Sequence, residues 1–240
     1  MREKDLPIDL TKHKIYSKNA KKCVQKLLRR YYGKQTAAEL WEKVQLQYCE
    51  YLKGEPALKD LKITTSIYDP ILIFAWYVVI PDKPALAEVQ QDIYQSFFGS
   101  FDLMGKIFDL NRKPDNKLAS KIFQKANDIR VKEIKRFPES FRMGSCSYDK
   151  ENGIIRYSFT QCPNAEFAKR HHMEDVLPVL CNCDHLAMQA IHAALIREGT
   201  CVTADRCDYC IVGNRNPIAA EYDLVAAGNG LLLSVERSSV

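Results

Sequence analysis

Apolar positions in the first half of the chain recur at helical spacing. From Ala20, the series Ala20, Cys23, Val24, Leu27, Leu28 and Tyr31 follows i, i+3, i+4, i+7, i+8 and i+11, one stripe of an amphipathic helix. Gly33 predicts its end. Thr36 and Glu39 form a T-x-x-E capping box, which predicts a second helix with Leu40, Val44, Tyr48 and Leu52 on one face up to Gly54, antiparallel to the first. The apolar run PILIFAWYVVIP follows Asp69, a side-chain cap, and starts with Pro70, which suits a first helical position; a buried helix is expected, with a strand left open by the β-branched content. A third amphipathic stretch runs from Pro84 to the Phe97-Phe98-Gly99 region. A fourth, from Asn116 to Phe137, lines up Leu118, Ile122, Ala126 and Ile129 opposite a row of lysines.

After Pro138 the period changes. FRMGSCSYD and GIIRYSFTQC flank Lys150-Glu151-Asn152-Gly153, and Asn-Gly between aromatic and β-branched runs predicts a hairpin. Helical segments are expected over 164–192, then a second hairpin with strands near 194–202 and 206–212. The fold class is α+β: an N-terminal helical layer packed with a small antiparallel sheet of two hairpins and further helices. Three regions are expected within one compact domain: helical (1–140), α+β (141–213) and a C-terminal arm (214–240). The arm mixes glycines with Leu231-Leu232-Leu233 and reads as a docking arm, a subunit contact or a poorly ordered tail. A homo-oligomer is compatible with it.

Composition narrows the class. With 240 residues, 46% of them hydrophobic, the chain can bury a sizeable core. The charged start MREKDLPIDLTKHK has no apolar signal region, so a cytoplasmic protein with reduced thiols is expected. Nine cysteines, an odd number, argue against a disulfide framework there. The ten residues between Pro70 and Pro81 are about half of what a membrane span requires, and no membrane partner is expected. Of the net charge of +5, residues 1–34 carry +8, from eleven Lys and Arg against three Asp and Glu. Such a segment can bind polyanions, but the wet face of a helix is the preferred explanation, and without a recognised nucleic-acid motif no nucleic acid is expected.

Candidate chemistry concentrates in CNCDHLAMQAIHAALIREGTCVTADRCDYC, residues 181–210, with five cysteines, two histidines and three aspartates. A zinc site would use Cys181, Cys183, Cys207 and Cys210 with His185 or His192. However, Cys207-Asp208-Tyr209-Cys210 lacks the glycine of a knuckle turn, and a strand there turns residues three apart to opposite faces. Buried cysteine as a small hydrophobe accounts for Cys23, Cys49, Cys146 and Cys201. The catalytic reading selects Cys162 before Pro163, Cys181 with Asp184 one helical turn later, and Cys207 with Asp208.

The order of these motifs resembles the L-2-amino-thiazoline-4-carboxylic acid hydrolase family: an aromatic strand ending in Cys-Pro (Tyr157 to Cys162-Pro163), a Cys-x-x-Asp (Cys181 to Asp184), an Arg-x-x-Thr (Arg197 to Thr200) and a closing Cys-Asp-aromatic (Cys207-Asp208-Tyr209). Two features depart from the family pattern. TCVTADRCD is about a residue shorter and lacks the usual glycine, and Tyr209 replaces the commoner phenylalanine. The resemblance implies a hydrolase acting on C–N bonds other than peptide bonds, one that opens a cyclic amidine to an N-carbamoyl amino acid with no cofactor and no metal. The expected catalytic set is Cys181, Asp184, Cys207, Asp208 and Cys162, with either Cys181 or Cys207 as nucleophile and the aspartates as acid and base. The substrate is a small molecule carrying a carboxylate. Arg197, then Arg156 and Arg206, are its expected cations, with Thr200 and Tyr157 beside it. Residues of the helical half such as Tyr68 or Trp76 can also line a pocket. The competing reading is a non-catalytic Cys/His zinc-binding or thiol-sensing module.

Overall fold

The computed structural model describes residues 3–237. The chain divides into two compact units, Met1–Phe97 and Phe98–Val240. Residues 238–240 of the expected C-terminal arm, and the first two residues of the charged start, lie outside the described residues.

The first unit is helical, with α1 (Lys18–Lys53), α2 (Thr65–Val79) and α3 (Leu86–Phe97). Gly33 interrupts α1 at φ 71°, ψ 174°, a conformation that a Cβ disfavours, so the predicted two-helix reading describes its two limbs. Tyr16, just before the first limb, packs edge-on against Trp41 and Tyr48 of the second, with centroids 5.7 and 5.1 Å away, which brings the second limb back past the start of the first. Ser17 caps α1, its hydroxyl accepting from the Ala20 N–H at 3.1 Å.

Asp69 departs from expectation. Helix α2 starts earlier, because the Thr64 carbonyl accepts from the Ile67 and Tyr68 N–H groups, and Pro70 therefore lies inside the helix. The Asp69 carboxylate instead holds the Ser17 N–H at 2.7 Å and hydroxyl at 2.6 Å, at the start of another helix. Tyr68 and Trp76 are core side chains. The basic segment follows the wet-face reading, with Lys21 paired to Glu3, and Lys26 and Arg30 both paired to Asp92. No helix among the described residues is long and apolar enough to cross a membrane.

The second unit begins with α4 (Ser100–Met104) and α5 (Lys113–Glu133). It continues through β1 (Arg142–Asp149), β2 (Ile154–Gln161), α6 (Pro163–Arg170), α7 (Pro178–Cys181), α8 (Cys183–Ala190), β3 (Ala193–Ile196) and β4 (Cys207–Gly213), and ends with β5 (Tyr222–Ala226) and β6 (Leu232–Glu236). Strands β1, β2, β4 and β3, in that order, form one antiparallel sheet, and β5 pairs with β6. The fold class is α+β. The Lys150–Gly153 turn forms as predicted: Asp149 accepts from the Glu151 and Asn152 N–H groups, and Gly153 takes φ 66°.

Helix α5 buries a different face from the one its apolar spacing suggested. Leu118 and Ile122 are 50% and 57% exposed, while Asn116, Ala119 and Ser120 are buried. Small side chains let the helix approach the sheet closely, and Phe123 then stacks on Tyr157 of β2 with centroids 5.0 Å apart. Strand β3 is also shorter than predicted. Past Ile196 the backbone turns away, with the Asp208 carboxylate holding the Gly199 N–H at 2.7 Å and the Glu198 N–H at 3.2 Å.

The C-terminal arm is docked on its own unit. Leu231 is buried, and the Ser234 N–H donates to the Arg197 carbonyl while its hydroxyl accepts from the Arg197 N–H. Asn182 clamps the same segment through the Gly230 carbonyl and the Leu232 N–H.

Candidate active site

Strand alternation decides which candidates meet. Tyr157 pairs with Tyr209 and Phe159 with Cys207, so these four side chains share one sheet face. Arg156, Ser158, Asp208 and Cys210 share the other. On the first face Tyr157 is sandwiched between Phe123 and Tyr209, the latter stacked at 4.6 Å and 9°. The Tyr209 hydroxyl donates to Asp184 Oδ2 at 3.0 Å, which places the first turn of α8 over the rings.

Asp184 is the hub. Its Oδ2 also accepts from Arg197 Nη1 at 3.3 Å, while Oδ1 has no protein partner among the described residues. The side chain keeps 31% exposure. Burial raises its carboxyl above the ordinary aspartate range, against the opposing pull of Arg197 and the Tyr209 hydrogen bond.

Arg197 is 0% exposed. Its two terminal nitrogens donate to the Cys181 and Leu232 carbonyls and to Asp184, and the guanidinium lies 5.7 Å from the centroid of the Tyr209 ring. Burial pulls its proton affinity down, but Tyr209, Asp184 and Cys181 outweigh that and raise it. The side chain is a fixed internal cation with both ends committed, and it has no open face for the substrate carboxylate it was expected to bind.

The thiols around Asp184 are held neutral. Burial pushes Cys162 up to about 12, and pushes Cys181 well above the thiol range despite Arg197 nearby. Cys201 and Cys207 form a coupled pair. The Cys201 N–H donates to Cys207 Sγ at 3.1 Å, and Cys201 Sγ donates to the Phe159 carbonyl at 3.3 Å. The hydrogen bond from Cys207 pulls Cys201 below the ordinary thiol range, and the same bond, with burial, drives Cys207 up. Neither proposed nucleophile, Cys181 or Cys207, is activated.

Four further candidates sit elsewhere. Asp208 and Arg156 are on the far sheet face with Arg206, where a recess of about 460 Å³ also takes in Glu198 and Tyr222. Asp208 there closes the 198–199 turn. Thr200 is buried and its hydroxyl accepts from the Val202 and Thr203 N–H groups, building the shortened loop. That loop turns on the Thr200 carbonyl, which accepts from Thr203 and Ala204, with no residue at positive φ; hence no glycine is needed. Cys207 and Cys210 point to opposite faces, Cys183 donates to the Val179 carbonyl, and among the described residues no three His, Cys, Asp or Glu side chains gather as metal ligands. The zinc reading has no converging ligand set.

A family model described as L-2-amino-thiazoline-4-carboxylic acid hydrolase matches residues 89–211, just over half the chain. The chain belongs to this family. No curated protein and no solved structure matches it. All four motifs of the L-2-amino-thiazoline-4-carboxylic acid hydrolase resemblance fall inside the matched stretch.

Within that stretch, sequence spacing missed Arg130. On α5, two turns beyond Phe123, its guanidinium lies 5.7 and 5.5 Å from the Phe141 and Phe159 ring centroids. Its Nε has no hydrogen-bond partner. Burial lowers its proton affinity, countered by the nearby Tyr157, Glu133 and Tyr209. The signal available was the alternative α5 stripe Ala119, Phe123 and Arg130, which a more apolar stripe outweighs.

Proposed function

We propose that this family member hydrolyses a small cyclic amidine related to 2-amino-thiazoline-4-carboxylate, with Asp184 as the single acid–base group and water as the nucleophile. What supports this reading is the Asp184 carboxyl: one oxygen bound by both Arg197 and Tyr209, the other unengaged among the described residues, and burial raising it above the ordinary aspartate range.

The steps balance with one carboxyl. Protonated Asp184 gives its proton to the ring nitrogen, and the positive charge spreads onto the carbon between sulfur and the two nitrogens. Water adds to that carbon and returns a proton to Asp184, leaving a neutral tetrahedral adduct. The carbon–sulfur bond then breaks; Asp184 protonates the departing sulfur and takes the hydroxyl proton as the carbonyl forms. The N-carbamoyl product retains both nitrogens, so the scission is carbon–sulfur, not the carbon–nitrogen cleavage that the resemblance suggested.

Cys162 and Cys181 are neutral wall groups in this reading. Arg197 is a positioning residue that orients Asp184. Arg130, carrying a planar two-pronged donor braced on aromatic rings, takes the substrate carboxylate, and the Tyr157 hydroxyl lies in its field.

The test is incubation of purified protein with 2-amino-thiazoline-4-carboxylate, following thiol release and product mass. Asp184→Asn should lose at least about a hundredfold in kcat while remaining folded, the scale of a general acid–base contribution. Arg130→Gln should act mainly on KM. Cys181→Ser and Cys207→Ser should stay within severalfold of the parent. A mass adduct on either thiol, or full activity in Asp184→Asn, would overturn the one-carboxyl scheme.

A further inference from the structure

A second recess lies where the start of α5, the β1–β2 turn and the end of β4 meet. Its volume is about 500 Å³, in the range of small-molecule sites. Lys113, Lys117, Lys150 and Arg215 line it against one carboxylate, Glu151. None of the four cationic side chains makes a hydrogen bond or ion pair among the described residues, and the carboxylates nearby are Glu151 and Asp109, the latter in the field of Arg215.

The walls are fixed by side-chain amides. The Asn111 amide donates to Asp109 Oδ1, the His192 carbonyl and Asn214 Oδ1, and its oxygen accepts from the Arg215 N–H at 2.9 Å. A Cβ at Gly213 would fall 2.5 Å from Asn111 Oδ1 and 3.0 Å from the Asn111 Cα, so this packing excludes any other residue there. Asn116, 4% exposed, lines the floor. Its Nδ2 holds the Gly153 carbonyl at 2.9 Å, and its Oδ1, sealed from solvent, has no partner among the described residues.

We propose that this recess binds a small phosphorylated metabolite that also carries a hydroxyl or amino donor, the phosphate meeting the four cations and the donor meeting the asparagine side chains that line it. Three converging segments bound a recess of limited volume, which suits a small molecule; a nucleic-acid strand tracks an open groove lined with stacking aromatics. The site shares no lining residue with the Asp184 cluster, and the inference is independent of the proposed hydrolysis.

Calorimetric titration of the full chain at low salt, with inorganic phosphate and ribose 5-phosphate as probes, tests it. Ribose 5-phosphate should bind, and more tightly than inorganic phosphate. The double variant Lys117→Gln/Arg215→Gln should weaken it about a hundredfold, about tenfold for each charge-assisted hydrogen bond removed. Lys22→Gln, in the basic N-terminal segment, should leave it unchanged. The proposal fails if neither probe binds at millimolar concentration, if the double variant binds like the parent, or if both probes bind equally. It also fails if only a single-stranded RNA oligonucleotide binds.

Discussion

Tyr209→Phe isolates one hydrogen bond on the proposed acid. The ring would keep its stack on Tyr157 at 4.6 Å, and Asp184 Oδ2 would keep Arg197, so no polar group is orphaned and the fold should lose no more than about 1 kcal/mol. What is lost is a donor to the ionised carboxylate. Such a bond contributes about 1.5–3 kcal/mol, and with Asp184 31% exposed the lower end applies. At about 1.4 kcal/mol for each factor of ten, the variant should hold the Asp184 proton about tenfold more tightly.

The direction is fixed by the geometry. Burial already raises the carboxyl and Tyr209 opposes it, so removing the hydroxyl raises it further. Because the scheme starts from protonated Asp184, the alkaline fall in activity should move to higher pH in the variant, with little change at the plateau. The pH–rate profile with 2-amino-thiazoline-4-carboxylate reads this directly. Carbon-13 NMR titration of the aspartate carboxyls reads it without substrate. A limb that stays in place, or moves to lower pH, would refute the reasoning.

Three other outcomes follow from the same geometry. Arg197→Met removes the cation that faces Asp184 and three carbonyl-directed donors, a loss of about 3 kcal/mol, seen as a melting temperature lower by about 10 °C; an unchanged melting temperature would mean that the pair is energetically idle. Asp92, where Lys26 and Arg30 outweigh burial and lower its carboxyl, contributes stability above its unfolded pKa that is lost as pH falls through the folded value. Asp92→Asn should therefore cost at most about 1 kcal/mol at neutral pH, since both partners are exposed, and chemical denaturation should show a shallower acid dependence. Finally, thiolate ultraviolet absorbance should show a step below the ordinary thiol range in the parent and lose it in Cys201→Ala, whereas Cys162→Ala should leave it intact.

Local signals carried much of the fold. The Asn152-Gly153 turn needs only a residue that accepts positive φ and an aspartate to hold its amides, both adjacent in sequence, and the first α1 stripe needs only its own periodicity. What failed was decided between elements. Two stripes of α5 are apolar enough to be buried, and the choice fell to the one whose small residues let Phe123 reach Tyr157. Asp69 looks like the cap of its own helix, yet the hydrogen bonds it makes are to Ser17, fifty-two residues away. Arg197 has the chemistry of a carboxylate clamp, and only its burial beneath the Cys181 and Leu232 carbonyls shows that it is an internal strut.

The site motifs sort by the same logic. Cys181 ends α7 and Asp184 lies in the first turn of α8, with only Asn182 and Cys183 between them, and Arg197 bonds both the Cys181 carbonyl and the Asp184 carboxylate. On a strand, Cys207, Asp208 and Tyr209 cannot share a face: the first and third face Asp184 while the second faces away and closes a turn. A Cys-Asp-aromatic motif thus combines a floor and a clamp, and its aspartate is no partner for Asp184. The consequence falls on Tyr209. A phenylalanine at 209 would keep the floor but could not bond Asp184, so the proposed acid owes one restraint to the tyrosine hydroxyl alone. The Tyr209→Phe alkaline limb therefore reports on that hydroxyl and not on the floor it shares with Tyr157.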